Sequence, residues 1–425
     1  MATLKFIHAA DIHLDSPLNG LSTDDEVAAE QIRLATRYAL ENLVTEAIDR
    51  AVDFMLIAGD LYDGDWRDYR TGLFFTRQMA RLKSAEIPVF VIQGNHDAES
   101  KMTRHLQLPE NVHLFGSKKP STKTLDDLGV AIHGYSYKTR DVTENLVPHY
   151  PAPVPGLFNI ALLHTALNGR AGHANYAPCT LAELQNKGYD YWALGHVHAY
   201  ELLSEAPHVV FPGNLQGRSI RETGPKQALE VVVEDGRVVD TTSMYCDVVR
   251  WAAVDVPIDD CDRLNQVYDA ISEAVQSAVA QHAENRLLAM RIRLVGTSAL
   301  HGELTARGAE LIAQARNAAQ SLGAGAAYIE KLVVATEPSV TAEAMRARED
   351  ALGELRRLMD GAVDDPELVK ILDDDIGALV RSLPADVQAQ VEEPILQAAI
   401  DGETATMLQG ASDYLMGRLT APGDR

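Results

Sequence analysis

A layered α/β fold is what the sequence predicts, and three observations carry the prediction. Short β-rich apolar runs alternate with helical stretches early in the chain. Further on the runs crowd together with few helices between them, which suits stacked sheets better than a plain doubly wound fold. Several of the runs end in glycine or alanine followed at once by Asp, Asn or His, the place where ligands gather in open α/β folds.

Taken in order, Leu4–Ala10 reads as a buried strand. A helix follows from about Asp24 to Val52, its start marked by the capping-box pattern Thr23-Asp-Asp-Glu26. Asp53–Ala58 is a second strand, Thr71–Lys83 a helix and Ile87–Ile92 a third strand. Shorter apolar runs come at Val112–Phe115, Val130–Gly134, Phe158–His164, Tyr189–Leu194, Val209–Phe211, Ala228–Val233 and Val238–Tyr245. Near Trp251 a second unit begins, with strands at Ala252–Val256, Arg286–Leu294 and Tyr328–Ala335. Helices at Asp260–His282 and Leu300–Ser321 separate them, giving a βαβαβ order. From Thr341 onward the chain is rich in Ala, Leu, Glu and Arg without a strand signal. It reads as helices divided near Asp364-Asp365-Pro366, Pro384 and Asp401-Gly402. The expected domains are therefore 1–250, a small α/β cap over 251–338, and an acidic helical tail over 339–425.

Composition sets bounds on function. With 425 residues, 46% hydrophobic and 23% charged, the chain has enough apolar material for two or three folded domains, which excludes wholesale disorder. No run of apolar residues is long enough for a membrane helix. The first residues lack a basic start, an apolar core and a small-residue cleavage site in succession, and Cys179, Cys246 and Cys261 form no CxxC. The expectation is a reduced, cytoplasmic protein whose cysteines are packing residues. The net charge of −23 speaks against nucleic acid at first sight, since lysine and arginine supply most non-specific affinity. Its distribution weakens that objection. Residues 341–425 hold 18 acidic against 8 basic residues, so one fifth of the chain carries much of the excess.

The chemistry lies where strands end. The segments are Ala10-Asp11-Ile12-His13, Gly59-Asp60, Gly94-Asn95-His96-Asp97, Leu163-His164-Thr165 and Gly195-His196-Val197-His198. Their side chains are oxygen and imidazole donors without a thiolate, a set suited to Mn²⁺ or Fe²⁺ and less exclusively to Zn²⁺. Each piece alone is weak: a lone D-x-H is usually accidental, GD after a strand is a common turn, and a single buried His is usually a satisfied core residue. Five of them in this order are not accidental.

The set D-x-H, GD, GNHD, H and GHxH resembles the signature of the calcineurin-like metallophosphoesterases. The flanking text, FIHAADIHLDSP, GDLYDGDW, GNHDAES, LPENVHLF, YDYWALGHVH and FPGNLQGRSIRETGPK, is similar to bacterial DNA repair exonucleases of the SbcD type, especially their YhaO-like branch. The motifs span residues 1–230. Beyond them the second domain matches only in size and order. The resemblance implies a sandwich of two central mixed sheets flanked by helices. It also implies that Asp11, His13, Asp60 and His198 hold one metal, with Asp60 bridging to a second that Asn95, His164 and His196 complete. Mn²⁺ is expected first, with Fe²⁺ or Zn²⁺ as alternatives. A water shared by two such cations becomes a nucleophile near neutral pH. His96 is then placed to assist the leaving oxygen, and Asp97 to orient a ligand. Asp63 departs from archaeal and eukaryotic relatives, which carry histidine there, so a second assisting histidine is in question.

Other residues have blander readings beside functional ones. Trp66, Arg67 and Arg70 form a substrate rim or a solvated helix start. His173 and Tyr176 approach the site from a loop or stay clear of it. Arg218 and Arg221 meet phosphates or simply follow a turn, and His8 is core. The leading function is a dinuclear-metal DNA exonuclease working with an SbcC-like coiled-coil ATPase, with homodimerisation open and no membrane partner. The alternative is a metallophosphatase or nucleotide phosphodiesterase acting on small molecules. The tail, with Leu352, Leu355 and Leu358 and then Leu368, Ile371, Leu372 and Ile376 at near-helical spacing, either packs on the chain's own core or docks the partner.

Overall fold

The computed structural model describes residues 3–16, 26–64, 69–99, 107–169, 175–340, 342–383 and 394–420. Thr23 to Asp25, Trp66, Arg67 and His173 lie outside the described residues. Two compact units are formed: Met1–Ala252 with Val279–Ala289 and Ala324–Glu330, and Ala253–Ala278 with Met290–Gly323 and Lys331–Arg425.

The apolar runs of the first unit carry side chains to both faces, because a strand inside a layered fold is covered above and below. Strands β1 (Leu4–Ala9), β2 (Phe54–Ala58), β3 (Val89–Ile92) and β4 (Val112–Leu114) run parallel. Strand β11 (Gln227–Glu234) pairs antiparallel with β1, and β12 (Arg237–Tyr245) with β11, giving the order β12-β11-β1-β2-β3-β4. A second six-stranded sheet has the order β5-β6-β7-β8-β10-β9. In it β6 (Val130–Gly134), β7 (Phe158–His164), β8 (Tyr191–Gly195) and β10 (His208–Phe211) are parallel. The edge strands β5 (Ser121–Leu125) and β9 (Glu201–Glu205) are antiparallel. Both sheets are therefore mixed, as expected of the sandwich.

Alternation assigns each residue to a core. Phe6, Phe54, Leu56, Phe90 and Ile92 from one sheet join Ile132, Ile160, Leu162, Tyr191 and Val210 from the other in a single buried cluster. Their neighbours Ile7, Met55, Ile57, Val89 and Val91 turn outward against helices α2 (Ala35–Asp49) and α3 (Tyr69–Ser84). Ala161, Leu163, Trp192 and Leu194 turn to the other side, where Leu184 of α5 (Leu181–Asn186) packs.

Some elements differ from expectation. The helix read as one piece to Val52 is α1 (Glu26–Arg33) and α2, because Leu34 leaves helical geometry with φ −97° and ψ 2°. Strands β5 and β9 carry no apolar signal in the sequence. Their sequences, STKTL and ELLSE, are those of polar edges. Helix α5 is also unheralded, though its start holds a full capping box between Thr180 and Glu183. Helix α4 (Asn95–Glu99) is one short turn after β3.

Strands β13 (Val249–Pro257), β14 (Leu287–Ser298) and β15 (Ala327–Pro338) form a three-stranded sheet in that order. Helix α6 (Leu264–His282) buries Val267, Ile271 and Val275 at helical spacing. The stretch read as one helix from Leu300 is α7 (His301–Ala306) and α8 (Gly308–Ser321), parted at Arg307. The tail contributes α9 (Ala342–Arg346), α10 (Ala351–Val363), α11 (Pro366–Ser382), α12 (Pro394–Asp401) and α13 (Thr404–Thr420). Asp350 and Asp365 cap α10 and α11, and Pro366 takes the first position of α11, where a missing N–H costs nothing. Helix α13 packs along α7 and α10, all within the second unit. Helix α11 buries no residue, and Leu358, Ile371 and Leu379 are exposed. No described helix is long and apolar enough to cross a membrane.

The inter-sheet core should be the least forgiving part of the first unit. Phe54 is fully buried and stacked on Phe6 with ring centroids 5.0 Å apart. Phe54→Ala should cost about 3–5 kcal/mol in urea unfolding, the usual loss for a buried aromatic. A loss below about 1 kcal/mol would mean that this layer collapses around the cavity and is not close-packed.

Candidate metal centre

The site begins with backbone that bends sharply at strand ends. Asp11, His13, Asp60 and His196 all have positive φ (50°, 46°, 49° and 103°), a conformation costing roughly 1–3 kcal/mol in a non-glycine residue. It persists because neighbouring segments over-determine it. The Asp11 and His13 N–H groups donate to the Gly59 and Asp60 carbonyls at 3.1 and 3.0 Å. The His196 N–H donates to both oxygens of Asp11, at 3.1 and 2.9 Å. Gly94 must be glycine, since a Cβ there would collide with Asp60 Oδ1 and with the His164 ring.

All seven predicted donors converge. Asp11, His13 and His198 form one group of candidate ligand atoms, and Asp60, His164 and His196 another. A third group of His13, Asp60 and His96 joins them. The Asp60 carboxylate stands between: Oδ2 lies 3.9 Å from His13 Nε2 and 3.4 Å from His164 Nε2, while Oδ1 accepts the His96 N–H at 2.9 Å. Asn95 Oδ1 is 3.0 Å from His164 Nε2.

Proton placement shows what this cluster is suited to hold. His164 Nδ1 lies 3.0 Å from the Ala58 carbonyl, which can only accept, so Nδ1 carries the hydrogen. Its Nε2 lone pair then faces two acceptor oxygens, Asn95 Oδ1 and Asp60 Oδ2, in a fully buried setting. His198 is fixed likewise: Nδ1 meets Glu222 Oε1 at 2.8 Å, turning Nε2 toward His13 Nε2 at 3.2 Å. Lone pairs aimed at acceptors inside a protein demand positive charge between them, either a proton on the ring or a metal cation. Burial would lower the His164 pKa, yet the Asp60 charge beside it raises it to about 9. Asp60 is itself held well below the carboxylate range by His164, His13 and His96 against the opposing effect of burial. The donor set fits divalent cations of the Mn²⁺, Fe²⁺ or Zn²⁺ kind.

An outer layer supports the donors. Asp97 accepts the N–H groups of Leu61, Tyr62 and Gly94 at 3.1, 2.8 and 3.1 Å, which fixes the loop carrying Asp60. Burial, with Asp60 nearby, pushes its pKa up to about 7. Asp63 Oδ1 meets His96 Nδ1 at 2.7 Å, and the other oxygen accepts from Ser16 Oγ at 2.5 Å. Arg218, half-buried, spans the two supporting carboxylates: Nη1 is 3.5 Å from Asp63 Oδ2 and Nη2 is 3.1 Å from Glu222 Oε1. Glu222 also accepts from Asn214 Nδ2 at 2.9 Å and from the Arg218 N–H at 2.8 Å.

Residues 4–200 match the calcineurin-like phosphoesterase family. That match takes in a little under half of the chain and makes it similar to the calcineurin-like metallophosphoesterases. Such phosphoesterases use a dinuclear metal centre, and the donors above lie within the matched span. Residues 251–337 match the middle domain of the metallophosphoesterase YhaO. The chain is 40% identical over 262 residues to the "Uncharacterized metallophosphoesterase YhaO" of Bacillus subtilis strain 168. That match covers 60% of this chain and 64% of the relative, so it spans a little under two thirds of the relative's length. A Thermus thermophilus protein of known structure is 14% identical over 57% of this chain and 99% of its own, with a TM-score of 0.33. A dimetal phosphatase from Danio rerio is 11% identical over 57% of this chain and 99% of its own, with a TM-score of 0.34.

Within this site the sequence gives no sign of Glu222. No motif marks a glutamate 24 residues beyond His198, although it sits in the RETGPK stretch after Arg218. Asp63 stood out only as a departure, and its pairing with His96 is a matter of fold. Tyr176 does reach the site: its ring centroid is 5.7 Å from that of His196, and its hydroxyl donates to Asp141 at 3.2 Å. Arg221 and Arg70 are exposed. His8 is core, bonded to the Tyr191 hydroxyl and the Leu194 carbonyl, both at 3.0 Å. Cys179 and Cys246 are buried free thiols whose pKa values burial pushes up to about 11 and 12.

Outer-layer partners of metal-binding histidines are typically worth 10- to 100-fold in metal affinity. Glu222→Gln should therefore weaken Mn²⁺ binding by about that factor in calorimetric titration, chiefly at one of two positions. Unaltered binding isotherms would show that His198 keeps its orientation without the carboxylate.

Proposed function

We propose that this chain is a dinuclear-metal phosphodiesterase that hydrolyses DNA, acting as an exonuclease in repair. The observation that carries the reading is the Asp60 carboxylate, whose Oδ2 faces a donor of each group, His13 and His164. In this reading Asp11, His13, Asp60 and His198 hold one cation, and Asp60, Asn95, His164 and His196 hold the other. Mn²⁺ is the cation preferred. When bound, the pair supplies Lewis acidity toward phosphoryl oxygens and lowers the pKa of water at the site.

The remaining chemistry belongs to His96. Its side chain is about one-third exposed at the mouth of the cluster, and Asp63 takes its Nδ1–H. Burial acts to lower its pKa, but Asp63 and Asp60 together raise it, which favours the doubly protonated ring. Nε2–H is then available to the leaving 3′ or 5′ oxygen as the P–O bond breaks, so that an alcohol departs in place of an alkoxide. Asp63 positions that ring.

Support for DNA over a small phosphate ester comes from the resemblance of the motif text and from the added domain and helical tail, which a minimal phosphatase does not need. The exposed Leu358, Ile371 and Leu379 suit docking of an SbcC-like coiled-coil ATPase against the acidic tail. The chain's net charge of −23 favours the competing reading, a phosphatase or nucleotide phosphodiesterase.

One preparation supplied with Mn²⁺ should hydrolyse labelled DNA in preference to cyclic nucleotides and a phosphomonoester; a preference for the phosphomonoester overturns the reading. Asp60→Ala should lose both ions in a metal assay, whereas binding of two ions with unchanged affinity removes the bridge. His96→Gln should keep its metal and lose roughly 10²–10⁴-fold in rate, the usual worth of general acid catalysis. Full activity, or loss of metal, would each be inconsistent with a leaving-group role.

A further inference from the structure

Strands β6, β7 and β8 are parallel and end at one edge of their sheet, with Gly134 opposite Leu162 and His164 opposite Gly195. The donors His164 and His196 leave that edge. So does the segment after β6, Tyr135 to Arg140. Strand β5 runs antiparallel to β6 with Ser121 opposite Gly134, which brings the preceding turn, Ser117 to Pro120, to the same edge.

Hydrogen bonds tie these two segments to the metal-binding cluster. The Gln93 N–H donates to Ser136 Oγ and the Tyr137 N–H to the Gln93 carbonyl, both at 3.0 Å, two residues before Asn95. The Tyr137 hydroxyl donates to the His164 carbonyl at 2.7 Å. The Ser136 N–H reaches the Gly116 carbonyl at 3.3 Å, joining the two segments to each other.

Their charge is opposite to that of the rest of the chain. Residues 117–125 and 135–140 contain Lys118, Lys119, Lys123, Lys138 and Arg140 and no acidic residue, in a protein with 61 Asp and Glu against 38 Lys and Arg. All five cations are exposed. The flanking acids are Asp126 and Asp127, at the far end of β5 where Leu125 lies opposite Val130, and Asp141, which accepts the Tyr176 hydroxyl.

We propose that this cationic edge is the track on which the phosphate backbone of a nucleic-acid strand lies as its end enters the metal centre. The inference rests on the DNA reading and extends it by naming the surface. Lysine on an edge strand also guards against pairing with another chain, which accounts for Lys123. It does not account for Lys118, Lys119, Lys138 and Arg140, which lie in turns outside the ladder. An acidic protein that cuts DNA needs one region where phosphates are neutralised, and the strong salt dependence of such contacts makes the region measurable.

The test is anisotropy of a labelled single-stranded 20-mer with the full chain, without added divalent metal, over a range of salt. Wild type is compared with K118Q/K119Q/K138Q/R140Q. Each lost phosphate contact lowers the slope of log affinity against log salt by about 0.7 for a single strand. The variant slope should thus fall by about 2–3, with binding at least about tenfold weaker at low salt. Mn²⁺-dependent hydrolysis of bis(p-nitrophenyl) phosphate should be unchanged. Should the fourfold variant melt early, K118Q/K119Q serves instead, with about half the change in slope. Wild-type binding that the variant keeps, at the same slope, overturns the track alone. Wild type that neither binds nor cuts DNA overturns the track together with the DNA reading. Aggregation without a change in affinity assigns the lysines to edge protection and also overturns it.

Discussion

A buried carboxylate between two sets of imidazoles is the constraint on which the rest depends. Asp60 is almost fully buried, and one of its oxygens faces His13 on one side and His164 on the other. Taking an anion out of water is tolerable only if positive charge or donors surround it. Here one oxygen accepts the His96 N–H, and the other faces imidazole nitrogens whose charge must come from ring protons or from bound cations. The cluster draws positive charge to imidazole nitrogens around a buried carboxylate, and that oxygen and nitrogen donor set is what suits it to cations.

Holding such a cluster requires a rigid frame. The two sheets meet at this point: the His164 side chain, at the end of a strand in one sheet, bonds the backbone at the end of β2 in the other. The close-packed layer between the sheets sets that distance, so the strain in the left-handed residues is balanced by packing at some remove from the site. Around the donors, Asp97, Asp63 and Glu222 each take hydrogens from more than one segment. Arg218 links two of these carboxylates. Support of this kind keeps donors within the narrow geometry that metal catalysis demands.

Much of this was legible in the sequence because the signals are local. D-x-H, GD, GNHD and GHVH each place a donor beside the residue that ends a strand, so the strand pattern and the donor list came together. The inward and outward alternation of Phe54-Met55-Leu56-Ile57 likewise follows from the period of a strand. What could not be read depends on distant segments. Glu222 reaches His198 through the turn after β10, and Asp63 finds His96 through the loop after β2; spacing carries no record of either contact. Strands β5 and β9 were hidden because an edge strand has no need of apolar side chains. The kink at Leu34 also left no mark, since leucine is a good helix former and the hydrogen-bonded path continues from Glu30 through Leu34 to Tyr38.

The central claim is that one carboxylate joins two cation positions in a single centre. Electron paramagnetic resonance of the full chain titrated with Mn²⁺ tests it directly, because neighbouring Mn²⁺ ions couple and isolated ions do not. The account predicts two ions per chain at saturation with the spectrum of a coupled pair. Two ions with the six-line spectrum of isolated Mn²⁺, or a single ion at saturation, would contradict it.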